Sequence, residues 1–144
     1  MSKVFTVIHG PNLNKLGDRE VDIYGRETLE SMNKTLVEYA QEKGVELKIL
    51  QSNSEGAIID ALHQGEEQSS GFVINPAAYS HTSVAIRDAI SAIKKPVVEV
   101  HLSNIYAREE FRQYSVTAGA CLGQISGFGS YSYILAIKAL LKKA

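Results

Sequence analysis

A single cysteine, Cys121, in 144 residues leaves no partner for an internal disulfide and no second thiolate for a zinc site. Neither sign of charge dominates. The formal net charge is −1, so no overall field draws in nucleic acid or an anionic membrane, and any anion site has to be local. Apolar residues never run for the roughly 18 positions a membrane-spanning helix needs. The opening Ser-Lys-Val-Phe-Thr-Val-Ile-His-Gly reads as a strand, without the charged start, apolar core and cleavage site of an export signal. These absences predict a cytoplasmic protein with neither nucleic acid nor membrane as partner. They also dispose of the glycosylation match at Asn33-Lys34-Thr35, which falls inside a predicted helix. No phosphate-loop motif is present. Gly127-x-Gly129 gives only part of a dinucleotide fingerprint, and it follows the last strand. The four histidines are far apart in sequence, with no carboxylate at ligand spacing. Neither a metal nor a cofactor is expected.

What is present is the pattern of one globular domain, residues 1–144. Hydrophobic residues make up 44% and charged residues 22%, enough to build a sizeable core. Strand-like runs over Lys3–Ile8, Val45–Leu50, Gly71–Ile74, Val97–His101 and, more weakly, Ala120–Ser126 each precede a helical pattern. The helix after Thr28 carries Leu29, Met32, Leu36, Tyr39 and Ala40 on one face and stops at Gly44. Others are predicted over Glu55–His63, Thr82–Ile93 and Ile105–Arg112, with a last one carrying Tyr133, Ile134, Ile137, Leu140 and Leu141. Strands alternating with helices predict an α/β fold: a flavodoxin-like, doubly wound, five-stranded parallel sheet with helices on both faces.

Such sheets bind ligands beyond the carboxyl ends of their strands. Polar residues gather there: Asn12 and Asn14, Asn53, Asn75 with His81, and His101 with Ser103. The segment from Lys15 to Arg26, bracketed by Gly17 and Gly25, is longer than an ordinary strand-to-helix connection and reads as a lid. After His101, a helix capped by Asn104 would bring Arg108 and Arg112 onto one face, where two like charges are tolerated best against an anion. The plainer alternative is a core histidine followed by a surface helix with Glu109 paired to Arg112. His63 reads as structural, and His9 as either a site residue or a loop anchor. Ser–His acyl transfer lacks a G-x-S-x-G elbow. Acid–base chemistry by histidine and tyrosine, with arginines holding a carboxylate, remains.

Several runs resemble those of one family. They are His9-Gly-Pro-Asn-Leu-Asn14, Leu16-Gly-x-Arg19, Tyr24-Gly25, Asn75-Pro-Ala-Ala-Tyr-Ser-His81 continuing to Asp88, Glu99-Val-His101-Leu-Ser-Asn, Arg108-Glu-Glu-Phe-Arg112 and Gly123-Gln-Ile-x-Gly-Phe-Gly129. In order and over nearly the whole chain, they are similar to the type II 3-dehydroquinate dehydratases. The chain departs from the family at Lys15, Asp18, Val21, Tyr106, Gly119 and Ser130, none of them a matched functional position.

The resemblance implies a hydro-lyase of the shikimate pathway that eliminates water in trans from 3-dehydroquinate, giving 3-dehydroshikimate through an enolate. It implies Tyr24 as base, His101 as acid, Arg19 as transition-state stabiliser, Asn12 near the enolate oxygen and Arg108 closing with the lid. It further implies that Leu102 and Ser103 bind the substrate carboxylate through their amides, that Asn75, His81 and Arg112 hold the ring hydroxyls, and that Asp88 reaches a neighbouring subunit's site. A homo-oligomer follows, trimers gathered into a dodecamer. Tyrosine ordinarily ionises near pH 10, so a tyrosinate base at neutral pH needs about 4 kcal/mol from nearby cations. Glu99, two residues before His101, would share its strand face and hold the ring. The alternative is a non-catalytic flavodoxin-like small-molecule binding module.

Overall fold

The computed structural model of the chain describes residues 3–18 and 20–143. Among them, β1 (Lys3–His9), α1 (Val21–Tyr24), α2 (Leu29–Glu42), β2 (Val45–Gln51), α3 (Glu55–Gly65), β3 (Gly71–Asn75), α4 (Val84–Ala92), β4 (Val97–His101), β5 (Gly123–Ser126) and α5 (Tyr131–Lys143) follow in order. The five strands form one sheet, order β2-β1-β3-β4-β5, with every pair parallel. The chain leaves β1 toward one edge, then crosses back to build β3, β4 and β5. The order therefore reverses between β1 and β3, and a crevice opens beyond their carboxyl ends.

Two apolar layers follow from the period-2 alternation of the strands. Phe5, Val7, Val73, Val98 and Val100 pack against Met32, Leu36 and Ala40 of α2 and Tyr133, Ile137 and Leu140 of α5. Ile8, Phe72, Ile74 and Val97 pack against Ile58 and Leu62 of α3 and Ile86, Ala89 and Ile90 of α4. Local signals set the helix starts. Thr28 forms a capping box with Ser31, Ser54 accepts from the Ala57 amide, and Ser83 accepts from the Ile86 amide. Gly44 (φ +73°) ends α2 in the left-handed region.

Three expectations are corrected. Residues 105–112 are not a helix but two 3₁₀ turns, Ile105–Ala107 and Glu110–Arg112. The Arg108 amide bonds the Ile105 carbonyl and its backbone then extends (φ −109°, ψ −170°), so no i to i−4 ladder develops. Eight residues offer too few such bonds to offset nucleation when a long-range contact pulls the middle out. β5 begins at Gly123, because Ala118–Ala120 form a 3₁₀ turn. α4 begins at Val84, preceded by a 3₁₀ turn over Ala77–His81.

Candidate active site

The ends of β1, β3 and β4 each contribute one wall of a cavity of about 120 Å³. The loop after β1 supplies Pro11, Asn12 and Leu13; β3 and its loop supply Asn75, Ala77, Ala78 and His81. β4 and its loop supply His101, Leu102, Ser103, Ile105, Arg108 and Arg112, and Tyr24 closes the remaining side. Asn12 takes a left-handed backbone (φ +70°), which asparagine tolerates, and its amide donates to Asn53 Oδ1 at 3.0 Å. The β1 and β3 loops are stitched together by the Gly10 amide donating to the Asn75 carbonyl at 2.8 Å.

Tyr24 stands at the end of α1, near the end of the long polar segment, and its hydroxyl accepts from Arg108 Nη1 at 2.5 Å. The guanidinium also lies over the tyrosine ring, 5.1 Å from its centroid, and is itself largely buried. Glu20 Oε2 lies 3.9 Å from Arg108 Nη2. The 3₁₀ break described above makes this reach possible: with the backbone extended at Arg108, its side chain turns back over the cavity.

His101 ends β4, and its Nε2 bonds Glu99 Oε2 at 2.8 Å. Glu99 is fully buried. Val97, two residues before it on the same strand face, packs in the layer of α3 and α4, so Glu99 stands where another apolar side chain would otherwise be. Ser115 Oγ (2.8 Å) and Gln124 Nε2 (3.1 Å) donate to Oε2, and Thr117 Oγ1 donates to Oε1. Burial pushes the carboxyl up. The hydrogen bond and charge of His101, with the bonds from Thr117 and Gln124, outweigh burial and hold the group below its ordinary value. Glu99 stays behind the histidine and does not line the cavity.

His81 Nδ1 donates to the Tyr114 carbonyl at 2.9 Å, and the ring stands edge-on to Phe111. Arg112 lines the cavity while pairing with Glu109 at 2.9 Å, so the ion pair of the plainer reading and the cavity position hold together. Beneath the cavity floor, His9 is buried. Its Nε2 bonds Asn33 Oδ1 at 2.8 Å and its Nδ1 bonds the Tyr133 hydroxyl at 3.0 Å, which also accepts from Asn75 Nδ2 at 3.0 Å.

Asn12, Tyr24, Asn75, His81, His101, Leu102, Ser103, Arg108 and Arg112 thus converge, with Glu99 one layer behind. Asp88 does not join them; it is exposed on the outer face of α4, with Val84 one turn before it. Arg19 lies outside the described residues. Ser115, Thr117 and Gln124 were not expected from sequence, and nothing local marks them as carboxylate partners. Tyr133 reads in sequence as one more member of an apolar stripe; its only signal is that a buried tyrosine hydroxyl needs a partner.

Residues 3–141 match the model of a family described as dehydroquinase class II. The chain is 58% identical over 135 residues to the 3-dehydroquinate dehydratase of Trichodesmium erythraeum, covering 94% of this chain and 90% of that protein. It is 53% identical over 141 residues to the enzyme of the same name from Bacillus mycoides, covering 98% and 97%. Its fold superimposes on the crystal structure of the type II dehydroquinase from Butyrivibrio crossotus with a TM-score of 0.95 at 48% identity, covering 96% and 97%.

Proposed function

The chain belongs to the class II dehydroquinases, and from that premise we propose how its own residues carry out the loss of water from 3-dehydroquinate. Tyr24 takes a proton from the carbon beside the ketone, leaving an enolate. His101 gives a proton to the hydroxyl on the next carbon as that C–O bond breaks, and water and 3-dehydroshikimate result. A proton then returns from Tyr24 to His101 through solvent, which restores both groups. The observation that carries this assignment is the pair of opposed arrangements on one cavity, Tyr24 on Arg108 at 2.5 Å and His101 on Glu99 at 2.8 Å. A guanidinium donating to a phenol oxygen stabilises negative charge there. A buried carboxylate orients the imidazole and stabilises its protonated form.

Arg19 stabilises the transition state and favours the tyrosinate form of the base. Asn12 steadies the enolate oxygen. The Leu102 and Ser103 amides receive the substrate carboxylate, while Asn75, His81 and Arg112 hold the ring hydroxyls. No lysine is among the described residues lining the cavity, which accords with an enolate rather than a Schiff base. The non-catalytic module has no observation in its favour.

The same proposal includes a homo-oligomer of trimers gathered into a dodecamer, with Asp88 completing a neighbour's site. The exposed Val84–Asp88 face of α4, with Val84 60% exposed, supports an interface there. A cytoplasmic location goes with this reading; the lone Cys121 supports it. Among the described residues, no helix is long and apolar enough to cross a membrane.

The test is a direct assay. With a chelator present, 3-dehydroquinate is added and the ultraviolet absorbance of the conjugated enone is followed, with borohydride in a parallel reaction. The expected result is rising absorbance that borohydride does not alter. Activity lost only when substrate and borohydride are present together overturns the enolate route, and no rise at all overturns the assigned reaction.

A further inference from the structure

The buried line of polar groups under the cavity has a direction that can be worked out from one end. The Ala77 backbone amide can only donate, and it donates to Asn75 Oδ1 at 3.0 Å. The Asn75 amide is therefore oriented with its nitrogen toward Tyr133, whose hydroxyl oxygen accepts from Nδ2 at 3.0 Å. Burial pushes the Tyr133 hydroxyl well above the ordinary tyrosine range, so it keeps its proton. Having accepted from Asn75, that hydroxyl has His9 Nδ1, at 3.0 Å, as the acceptor for its own proton. His9 Nδ1 then carries no hydrogen, and Nε2 donates to Asn33 Oδ1 at 2.8 Å. Only this arrangement gives every link of the line one donor and one acceptor, and it requires a neutral His9. Burial pulls His9 down to about 4, although the Asn33 bond acts in the opposite sense. His9, Asn75 and Tyr133 are each at most 3% exposed. Reversing any link would face two donors or two acceptors across a buried contact, at a cost close to that of leaving a polar group unpaired.

We propose that His9 and Tyr133 are positioning residues that lock the Asn75 amide, turning its second Nδ2–H into the cavity as a donor-only subsite for a substrate oxygen. The assignment rests on the reading of the cavity as the 3-dehydroquinate site. Neither positioning residue touches substrate. A subsite of fixed polarity accepts a hydroxyl or carbonyl oxygen and rejects an ammonium or amide N–H at the same place, because a donor would meet a donor.

Two measurements test it. Tyr133→Phe removes the hydroxyl and keeps the ring; KM is expected to rise about three- to tenfold, the loss of one neutral hydrogen bond, with kcat changed by less than about twofold. In an Asn75→Ala background the same substitution is expected to change KM by less than about twofold, since its route of action is gone. An unchanged KM in the first background, or an equal rise in both, overturns the proposal. Magic-angle-spinning NMR of histidine-labelled wild-type protein reads the other end without a variant or a substrate. It is expected to show His9 neutral and protonated at Nε2 from about pH 8 to about pH 5.5. A His9 protonated at Nδ1 overturns the proposed polarity even if turnover is normal. If turnover is absent but the expected tautomer is found, the reading of the substrate has failed and the locked amide stands.

Discussion

Arg108 Nη1 sits 2.5 Å from the Tyr24 hydroxyl, a contact between residues 84 positions apart that closes one side of the cavity. If that oxygen is the base, Tyr24→Phe removes it with no change in ring packing. Turnover is expected to fall by about 10²–10⁴-fold, the usual contribution of a positioned acid or base, with the melting temperature little changed. Wild-type turnover in Tyr24→Phe rules out the base assignment. Arg108→Met is expected to depress kcat in the same direction, since the cation opposing charge on that oxygen is lost.

On the other side of the cavity, His101→Ala is expected to lower kcat by about 10²–10⁴-fold. Glu99→Gln keeps the volume and removes the charge. Gln can still accept from Ser115 or Thr117, so the protein should fold, while kcat falls and KM stays nearly constant. Steady-state kinetics separates the two quantities. A fall in kcat/KM through KM alone would show that Glu99 serves binding and not the acid.

Stability should decline toward acid in two steps with different owners. Between the ordinary histidine value of 6.5 and about 4, the unfolded chain holds a proton on His9 that the folded chain refuses. Stability therefore rises with pH across that window, by about 3.5 kcal/mol in all at about 1.4 kcal/mol per unit. Glu99 has a folded value below its ordinary 4.5, so its contribution is complete above that pH and is lost as pH falls through the folded value. Denaturant melts from neutral pH downward should show His9→Gln flattening the upper window and Glu99→Gln the lower. A wild-type stability independent of pH between 4 and 6.5 contradicts the neutral buried His9.

Gly10 marks where two loops meet. A Cβ there would lie 2.7 Å from the Asn75 carbonyl oxygen and 2.8 Å from Pro76 C and O, all backbone atoms that cannot swing aside. Gly10→Ala is expected to cost about 1–3 kcal/mol by overpacking. It should also raise KM, because the strain falls on Asn75. Thermal melts and KM on the same preparation check both effects.

The sheet was legible from sequence because parallel strands buried on both faces read as short β-branched runs, and the apolar stripes of α2, α4 and α5 recur at helical spacing. The polar strand ends pointed to the right rim of the sheet. What local pattern misjudged was the stretch from Ile105 to Arg112, where spacing suggested a helix and a contact with Tyr24 decided otherwise. The residues around Glu99 were hidden for the same reason: Ser115, Thr117 and Gln124 are ordinary in their own neighbourhoods and meet only through the fold. Tyr133 shows in sequence only as a member of the buried stripe, since a helical stripe says which face is buried and nothing about what a hydroxyl on that face does.

All five strands run the same way, and α5 runs back against them. Lys3 therefore starts at the amino rim of the sheet, and the end of α5 returns to that rim, where Leu140 packs on Gly71 at the start of β3. Both described chain ends lie opposite the cavity. A fusion partner, an affinity tag or a solid support attached at either end hangs from the blunt side of the molecule and leaves the approach of a small solute to the cavity unobstructed.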